Sequence, residues 1–199
     1  MIRASITRKC PSVGLTTVEL MVAIAVIGIL TVVAVPGIRD NVRQHRLSNQ
    51  ISDFVTALQL AQNEAVSRAR PIVVCKSNNA ESATPACGSA GVQWSDGWIV
   101  FVDPDNDGVL DAGEPIVRAN GSFTSGLLLN GSAGFGSAVT FSASGSLPNG
   151  GSFVLCDSGD LRYARAVMLG NNGRVHLAQM SPRGTPLDDN VQEITTCAP

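Results

Sequence analysis

Charged side chains are scarce in this chain of 199 residues. Asp, Glu, Lys and Arg together make up 15% of it, below the roughly 25% of an average soluble domain. The formal net charge is −2, and Arg3, Arg8 and Lys9 lie in a stretch of fourteen residues that contains no acid. The rest of the chain is therefore more acidic than the whole. This balance argues against a globally basic nucleic-acid-binding protein.

Groups that carry out chemistry are also few. The only histidines are His45 and His176, and the chain has neither a nucleophile elbow nor a glycine loop of the kind that cradles phosphates. No two cysteines form a CxxC pair, the spacing that zinc ribbons and thioredoxin-like redox sites use. The sequence therefore predicts neither an enzyme nor a protein that requires a cofactor.

The five cysteines are Cys10, Cys75, Cys87, Cys156 and Cys197. If Cys10 is lost with a leader, an even number remains, which fits a compartment that permits disulfides. Four cysteines allow three pairings. The local spacing favours Cys75–Cys87 closing a small loop, with Cys156–Cys197 tying down the C-terminal tail. The alternative is that these residues are buried free thiols.

A long apolar run extends from Leu15 to Val35. As a helix, its roughly 21 residues would span about 31 Å, which matches the apolar core of a bilayer. The basic residues before it predict a cytoplasmic N-terminus. An ordinary secretory signal would have a shorter apolar stretch with a small-x-small cleavage site after it, whereas this run leads directly into an amphipathic helix. We therefore expect one membrane-spanning helix that is retained.

Glu19 is the anomaly of the apolar run. A carboxylate inside such a span costs a few kcal/mol unless it is paired or protonated. A cut between Gly14 and Leu15 would create a new α-amino group four residues earlier, and Glu19 of one subunit could pair with that amine on a neighbour. The alternative is a carboxyl near the start of a helix, where the helix dipole favours it.

The segment GLTTVELMVAIAVIGILTVVAVP resembles the prepilin motif of type IV pilins and type II secretion pseudopilins. The resemblance implies cleavage after Gly14 by the prepilin peptidase, N-methylation of Leu15 and an assembly role for Glu19. Leu15 departs from the phenylalanine usual in the family. Pro36 corresponds to the helix-kinking proline that such subunits commonly carry. Proline kinks a helix because it removes a helical hydrogen bond.

After the apolar run, the pattern predicts a helix followed by strands. Apolar residues between Asn41 and Arg70 recur with a 3.6-residue period, and Pro71 ends that helix. Asn-Gly, Gly-Ser and Pro-Asn-Gly turn signals separate short strand-like runs, as antiparallel hairpins require. The predicted strands are Ile72–Lys76, Trp98–Asp103, Ile116–Ala119, Leu127–Leu129, Ala138–Ser142, Ser152–Cys156, Tyr163–Leu169 and Arg174–Ala178.

The predicted fold class is α+β, with a long N-terminal helix, transmembrane and then amphipathic, packed on antiparallel β-sheets. With the prepilin resemblance, we expect the chain to divide into a leader over residues 1–14, a transmembrane and filament-core helix over 15–36, an amphipathic helix over 37–70 and a periplasmic β-rich domain over 71–199.

The region from Pro71 to Arg118 resembles the GspH/FimT (FimU-like) minor pilins and pseudopilins. The residues that carry this resemblance are PIVVCKS, Cys87 and WSDGWIVFVDPDNDGVLDAGEPIVR. It implies a subunit of a type IV pilus or a type II secretion pseudopilus, anchored in the inner membrane by a single span with its C-terminal domain in the periplasm. The implied partners are other pilin subunits, the prepilin peptidase and the membrane. The alternative is a minor pilin that binds DNA during natural transformation.

The stretch from Asp103 to Glu114 fits the twelve-residue EF-hand loop pattern. It offers Ca²⁺ the carboxylates of Asp103, Asp105, Asp107 and Glu114 and the carbonyl of Val109. The helices that flank an EF-hand are not predicted here. The alternative is an acidic β-turn, because Asp, Asn and Gly produce much of this pattern by turn chemistry alone.

Basic residues gather in the last third of the chain. Gly173-Arg174-Val175-His176 resembles the GRxR motif through which FimT-type minor pilins engage DNA, where alternate strand residues present two cations on one face. The second arginine is replaced here by a histidine, which is largely neutral at pH 7. The alternative is a solvated strand face. The candidate DNA-binding residues are Arg162, Arg165, Arg174, His176 and Arg183.

Overall fold

The structure is a computed structural model that describes residues 16–124, 126–188 and 192–197, without the side chains of 31–39 inside the first helix. The predicted leader, Cys10 and the Gly14–Leu15 cleavage site lie outside the described residues. So does the side chain of Pro36, although its backbone is helical. The chain forms two compact units, residues 1–42 and 43–199.

One helix, α1, runs from Thr17 to Arg68. Its start is capped by Thr16, whose side-chain oxygen accepts the Glu19 backbone N–H at 3.2 Å, since the first N–H groups of a helix have no partner within it. It ends where Ala69 takes a positive φ of 49° and Pro71 follows. The C-terminal end predicted for this helix, residue 70, is thus correct to within two residues.

In the first unit, the described apolar side chains at the start of α1 are exposed. Those from Val18 to Leu30 are between about half and three-quarters accessible. Within the part of the chain that the structure describes, no helix meets the combined length and hydropathy needed to cross a membrane.

The second unit contains two antiparallel sheets of four strands each. The first has the order β3-β2-β1-β5 and the second β4-β6-β7-β8. The strands are β1 (Ile72–Lys76), β2 (Trp98–Val102), β3 (Ile116–Asn120), β4 (Leu127–Gly131), β5 (Ala138–Phe141), β6 (Gly151–Asp157), β7 (Asp160–Leu169) and β8 (Val175–Leu177). All eight predicted strands are present, with ends that shift by up to three residues. The described residues of this unit also form two short 3₁₀ helices, Trp94–Asp96 and Ala133–Phe135.

The main core lies between α1 and both sheets. The helix contributes one buried stripe, Leu47, Ile51, Phe54, Ala57, Leu58, Ala61 and Ala65. Phe54 sits at its centre, with its ring edge-on to those of Trp94, Trp98 and Phe153. Burying one such side chain stabilises the fold by about 2–3 kcal/mol. The predicted amphipathic helix therefore packs through the face that its periodicity indicated.

A disulfide supports the outer face of each sheet. Cys75 in β1 is bonded to Cys87 beside a small cluster that includes Val73, Ile99 and Phe101. Cys156 in β6 is bonded to Cys197 beside the outer cluster that contains Ala164 and Ala166. These are the two pairs that the spacing favoured. The Asn130 side-chain amide also donates to the Cys197 carbonyl at 2.8 Å, so the tail is held against β4 as well.

Candidate functional site

Glu19 lies in the first turn of α1 and is exposed. Its neighbours Val18, Leu20, Met21 and Val22 are exposed as well. An exposed apolar helix surface of this extent is typical of a segment that packs against a membrane or another protein. The surface carries a single acid in its first turn. Glu19 is thus placed where a partner packing on this helix would meet it.

The acidic loop between β2 and β3 is organised around Asp103. This residue is fully buried. Its Oδ1 accepts the N–H groups of Asn106 at 2.7 Å and Asp107 at 3.3 Å, and its Oδ2 accepts that of Gly108 at 2.9 Å. Asn106 and Gly108 have positive φ values of 60° and 78°. Asp103 therefore shapes the loop by turn chemistry.

The carboxylates of the loop form two groups that share Asp105. One oxygen each from Asp103, Asp105 and Glu114 lie within 4.8 Å of one another, and the same holds for Asp105, Asp107 and Asp111. A hydrogen bond with Asp103 raises the pKa of Asp105, and partial burial raises the pKa of Glu114. The Val109 N–H donates to Asp107 at 2.7 Å. Neighbouring acids also raise both pKa values, because like charges disfavour ionisation.

This arrangement has the oxygens that Ca²⁺ requires, but the turn chemistry of Asp103 accounts for the loop without an ion. The loop joins two strands rather than two helices, so an EF-hand is not formed. Calcium binding remains a prediction for Asp103, Asp105, Asp107, Glu114 and the carbonyl of Val109.

The candidate DNA-binding residues do not form one surface. Arg162 shares a face of β7 with Ala164 in the outer cluster, whereas Arg165 shares the opposite face with Val167 in the main core. Arg162 donates to Asp160 at 2.8 Å, and Arg183 lies 3.5 Å from Glu193. Two of the cations are thus opposed by acids.

Arg174 and His176 also lie in different surroundings. Arg174 precedes β8 and lines a polar cavity of about 390 Å³ with Gln59, Gln62 and Asn63. His176 pairs with Met168 of β7. Met168 shares a face of β7 with Arg162, so His176 lies on that face as well. The predicted residues are therefore divided between this face, the opposite face with Arg165 and the cavity beside Arg174.

Arg43 makes contacts with Asp157 and Tyr163 that the sequence did not predict. Its guanidinium donates to the Asp157 carboxylate and, at 3.3 Å, to the Asp157 carbonyl, and it lies 4.5 Å from the centre of the Tyr163 ring. The hydrogen bond with Asp157 raises the pKa of Arg43, and the same bond lowers the pKa of Asp157. The partners are 114 positions apart, so no local pattern could reveal the pair.

The family model described as type II transport protein GspH matches residues 50–173, well over half of the chain. A fimbrial protein of Pseudomonas aeruginosa is 25% identical over 124 residues, which are 58% of this chain and 75% of that protein. The crystal structure of the type IV minor pilin FimU of Pseudomonas aeruginosa is 22% identical, covers 77% of this chain and 96% of its own, and superimposes with a TM-score of 0.54.

A second crystal form of FimU gives a TM-score of 0.52. At this identity the structural matches establish the pilin-like fold, while the family model establishes membership. The chain belongs to the GspH family of minor pilins and pseudopilins.

Proposed function

We propose that this protein is a minor subunit of a type IV pilus or a type II secretion pseudopilus, and that it assembles through the N-terminal part of α1. The observation that carries this proposal is the exposed apolar surface of α1 from Val18 to Leu30, with Glu19 in its first turn. Membership in the GspH family supports it. The protein is a structural subunit rather than an enzyme.

The proposed assembly begins with a precursor in the inner membrane. Prepilin peptidase cuts after Gly14, the new N-terminus at Leu15 is methylated, and the domain that follows α1 lies in the periplasm. The apolar side chains of α1 then leave lipid and pack against neighbouring subunits. Glu19 pairs with the α-amino group of a neighbour, because a carboxylate in an apolar environment is stable only when it is paired. Pro36 bends the helix between its membrane part and its periplasmic part.

Replacement of Glu19 tests this assignment. Glu19→Val should leave insertion and processing intact, since an apolar residue suits lipid, but should reduce incorporation at least tenfold. Glu19→Asp is the matched control, because it keeps the charge and should incorporate better than the valine variant. The measurement is the ratio of subunit in sheared filaments to subunit in membranes. If Glu19→Val is incorporated as well as the wild type, the proposed pairing of Glu19 with a neighbouring subunit is wrong.

A DNA-binding minor pilin remains the alternative function. Arg174 lines a polar cavity, so it is the candidate cation to test. If DNA is bound there, the affinity should fall steeply with salt, and Arg174→Gln should weaken it further. Binding that does not depend on salt or on Arg174 would remove this alternative.

A further inference from the structure

Asn-Gly pairs occur at four places in the chain, where the asparagines are Asn120, Asn130, Asn149 and Asn172. Such a pair can deamidate, because the glycine has no side chain to shield its backbone nitrogen. That nitrogen attacks the side-chain amide carbon of the asparagine, and ammonia leaves with the proton of the glycine nitrogen as a succinimide ring closes. Water then opens the ring at either carbonyl, which gives aspartate or isoaspartate. Whether a pair reacts depends on how firmly the fold holds its two residues.

Two of the asparagines are held in strands, Asn120 at the end of β3 and Asn130 in β4. A strand side chain points out of the sheet, whereas the backbone N–H groups lie in its hydrogen-bonding direction, so the reacting atoms are kept apart. The Asn120 amide donates to the Gly121 carbonyl at 3.0 Å, and the Gly121 N–H donates to the Glu81 carboxylate at 3.2 Å. The Asn130 amide donates to the Cys197 carbonyl at 2.8 Å. Both pairs are therefore protected.

The Asn172-Gly173 pair is held by the turn between β7 and β8. The Asn172 side-chain oxygen accepts the Arg174 N–H at 3.0 Å. The Gly173 N–H donates to the Gly170 carbonyl at 2.8 Å, and Gly173 is buried against Gly145. The Gly173 nitrogen is thus turned toward another acceptor, and it cannot reach the Asn172 amide carbon unless the turn opens.

The Asn149-Gly150 pair has neither kind of restraint. Both residues are exposed, and they lie in irregular structure before β6. In the part of the chain that the structure describes, no residue forms a hydrogen bond with the Asn149 side chain or with the Gly150 N–H. The Asn149 side chain can therefore rotate until its amide carbon meets the Gly150 nitrogen.

Packing requires the glycine of this pair. A Cβ atom on Gly150 would lie 2.8 Å from the Leu169 carbonyl oxygen and 2.7 Å from the Asn171 side-chain oxygen. A larger residue at this position would therefore clash with backbone. The fold thus keeps an unshielded nitrogen next to Asn149, while Asn149 itself remains exposed.

We infer that Asn149 is a site of spontaneous deamidation in the folded protein, through attack by the Gly150 nitrogen, release of ammonia and hydrolysis by water. Pro148, the preceding residue, lines a cavity of about 460 Å³ together with Asp107 of the acidic loop. Conversion of Asn149 therefore adds a carboxylate beside a surface that is already acidic, so this surface becomes more negative as the protein ages. The inference does not depend on assembly through α1.

Incubation of the folded full-length chain in detergent micelles and heavy-oxygen water tests the site. Hydrolysis of the succinimide incorporates a heavy oxygen, so mass spectrometry of peptic peptides distinguishes this reaction from deamidation during later digestion in ordinary water. Asn149 should convert at least tenfold faster than Asn120, Asn130 and Asn172, which are internal controls in the same chain. The conversion should accelerate from neutral to mildly alkaline pH, because the glycine nitrogen attacks after it loses its proton.

The reduced chain unfolded in denaturant provides the matched comparison. There Asn120, Asn130 and Asn172 should convert within a few-fold of the rate of Asn149, since no strand or turn holds them. In the folded chain, Asn149→Gln should remove the rapid conversion, because the longer side chain would have to close a larger ring. Equal rates at all four pairs in the folded chain, or no conversion of Asn149 there, would overturn the inference. A tenfold lead of Asn149 that persists in denaturant would overturn the protection assigned to the fold.

Discussion

Gly173 and Gly145 lie so close together that no side chain fits at Gly173. A Cβ atom there would lie 1.8 Å from the Gly145 carbonyl oxygen and 2.5 Å from the Gln62 amide nitrogen. Gly173 has a φ of +78° and Gly145 one of +77°. The contact joins the β7–β8 turn to the turn after β5. The glycine of the Gly173-Arg174-Val175-His176 segment thus has a packing role whether or not DNA is bound.

Gly173→Ala should destabilise the fold by at least about 2 kcal/mol, because the clash with backbone adds to the cost of a positive φ. Gly159→Ala is the matched control. Gly159 has a φ of +80° with nothing within 4 Å of the added Cβ, so it should cost only about 1 kcal/mol. Denaturant unfolding of the full-length chain in micelles, followed by tryptophan fluorescence, measures both. Equal losses would show that the turn moves away from Gly173 at little cost.

The Arg43–Asp157 pair should make stability depend on acid pH. The hydrogen bond from Arg43 lowers the pKa of Asp157 below its unfolded value, so the pair stabilises the folded state above about pH 4. This contribution should be lost as the pH falls through the folded pKa. Asp157→Asn should cost about 1–2 kcal/mol at pH 7 and flatten the decline in unfolding free energy below pH 4.

Asp53→Asn, an exposed change on α1, provides the control for Asp157→Asn and should leave the acid decline unchanged. Arg43→Gln should reproduce the effect of Asp157→Asn, since it removes the other partner. An Asp157→Asn profile parallel to that of the wild type would show that the pair contributes nothing to the pH dependence.

The two disulfides should contribute unequally. The bridged residues are 12 positions apart in Cys75–Cys87 and 41 in Cys156–Cys197. Loop-closure entropy assigns about 3 kcal/mol to the shorter loop and about 4 kcal/mol to the longer one. Paired serine replacements of each disulfide, compared by melting temperature, measure this order. A larger loss for the Cys75–Cys87 replacement would mean that packing beside that bridge outweighs loop closure.

Calcium should raise the melting temperature if the acidic loop binds it. Saturation at about one hundred times the dissociation constant adds about 2.7 kcal/mol. Extracellular sites bind at about 0.1–1 mM, so the titration must extend to many millimolar. Asp105→Asn and Glu114→Gln should each abolish the shift. Magnesium is the control for general screening of the acids. An unchanged melting temperature would make the loop an acidic turn shaped by Asp103.

Processing should place Leu15 at the mature N-terminus. Gly14→Ala should be cut poorly, because an extended substrate backbone approaches the peptidase most closely at a residue without a side chain. Mass spectrometry of the N-terminal peptide identifies the cleavage site, and Ser12→Ala serves as a control within the same leader. A mature chain that starts at any residue other than 15 would contradict the assignment.

The sequence by itself determined the elements. The 3.6-residue stripe from Leu47 to Ala65 predicted the buried face of α1, and turn signals separated all eight strands, because both depend on residues close in the chain. The spacing of the cysteines favoured the two disulfides that are present. The family resemblance, carried by contiguous motifs, was confirmed by the match to GspH.

Tertiary structure alone decided how the strands divide into two sheets. It brought Arg43 to Asp157 across 114 positions. It also set Gly173 against Gly145. These relationships depend on the long-range pairing of β1 with β5 and on the packing of α1 against both sheets, and no local periodicity encodes which elements become neighbours.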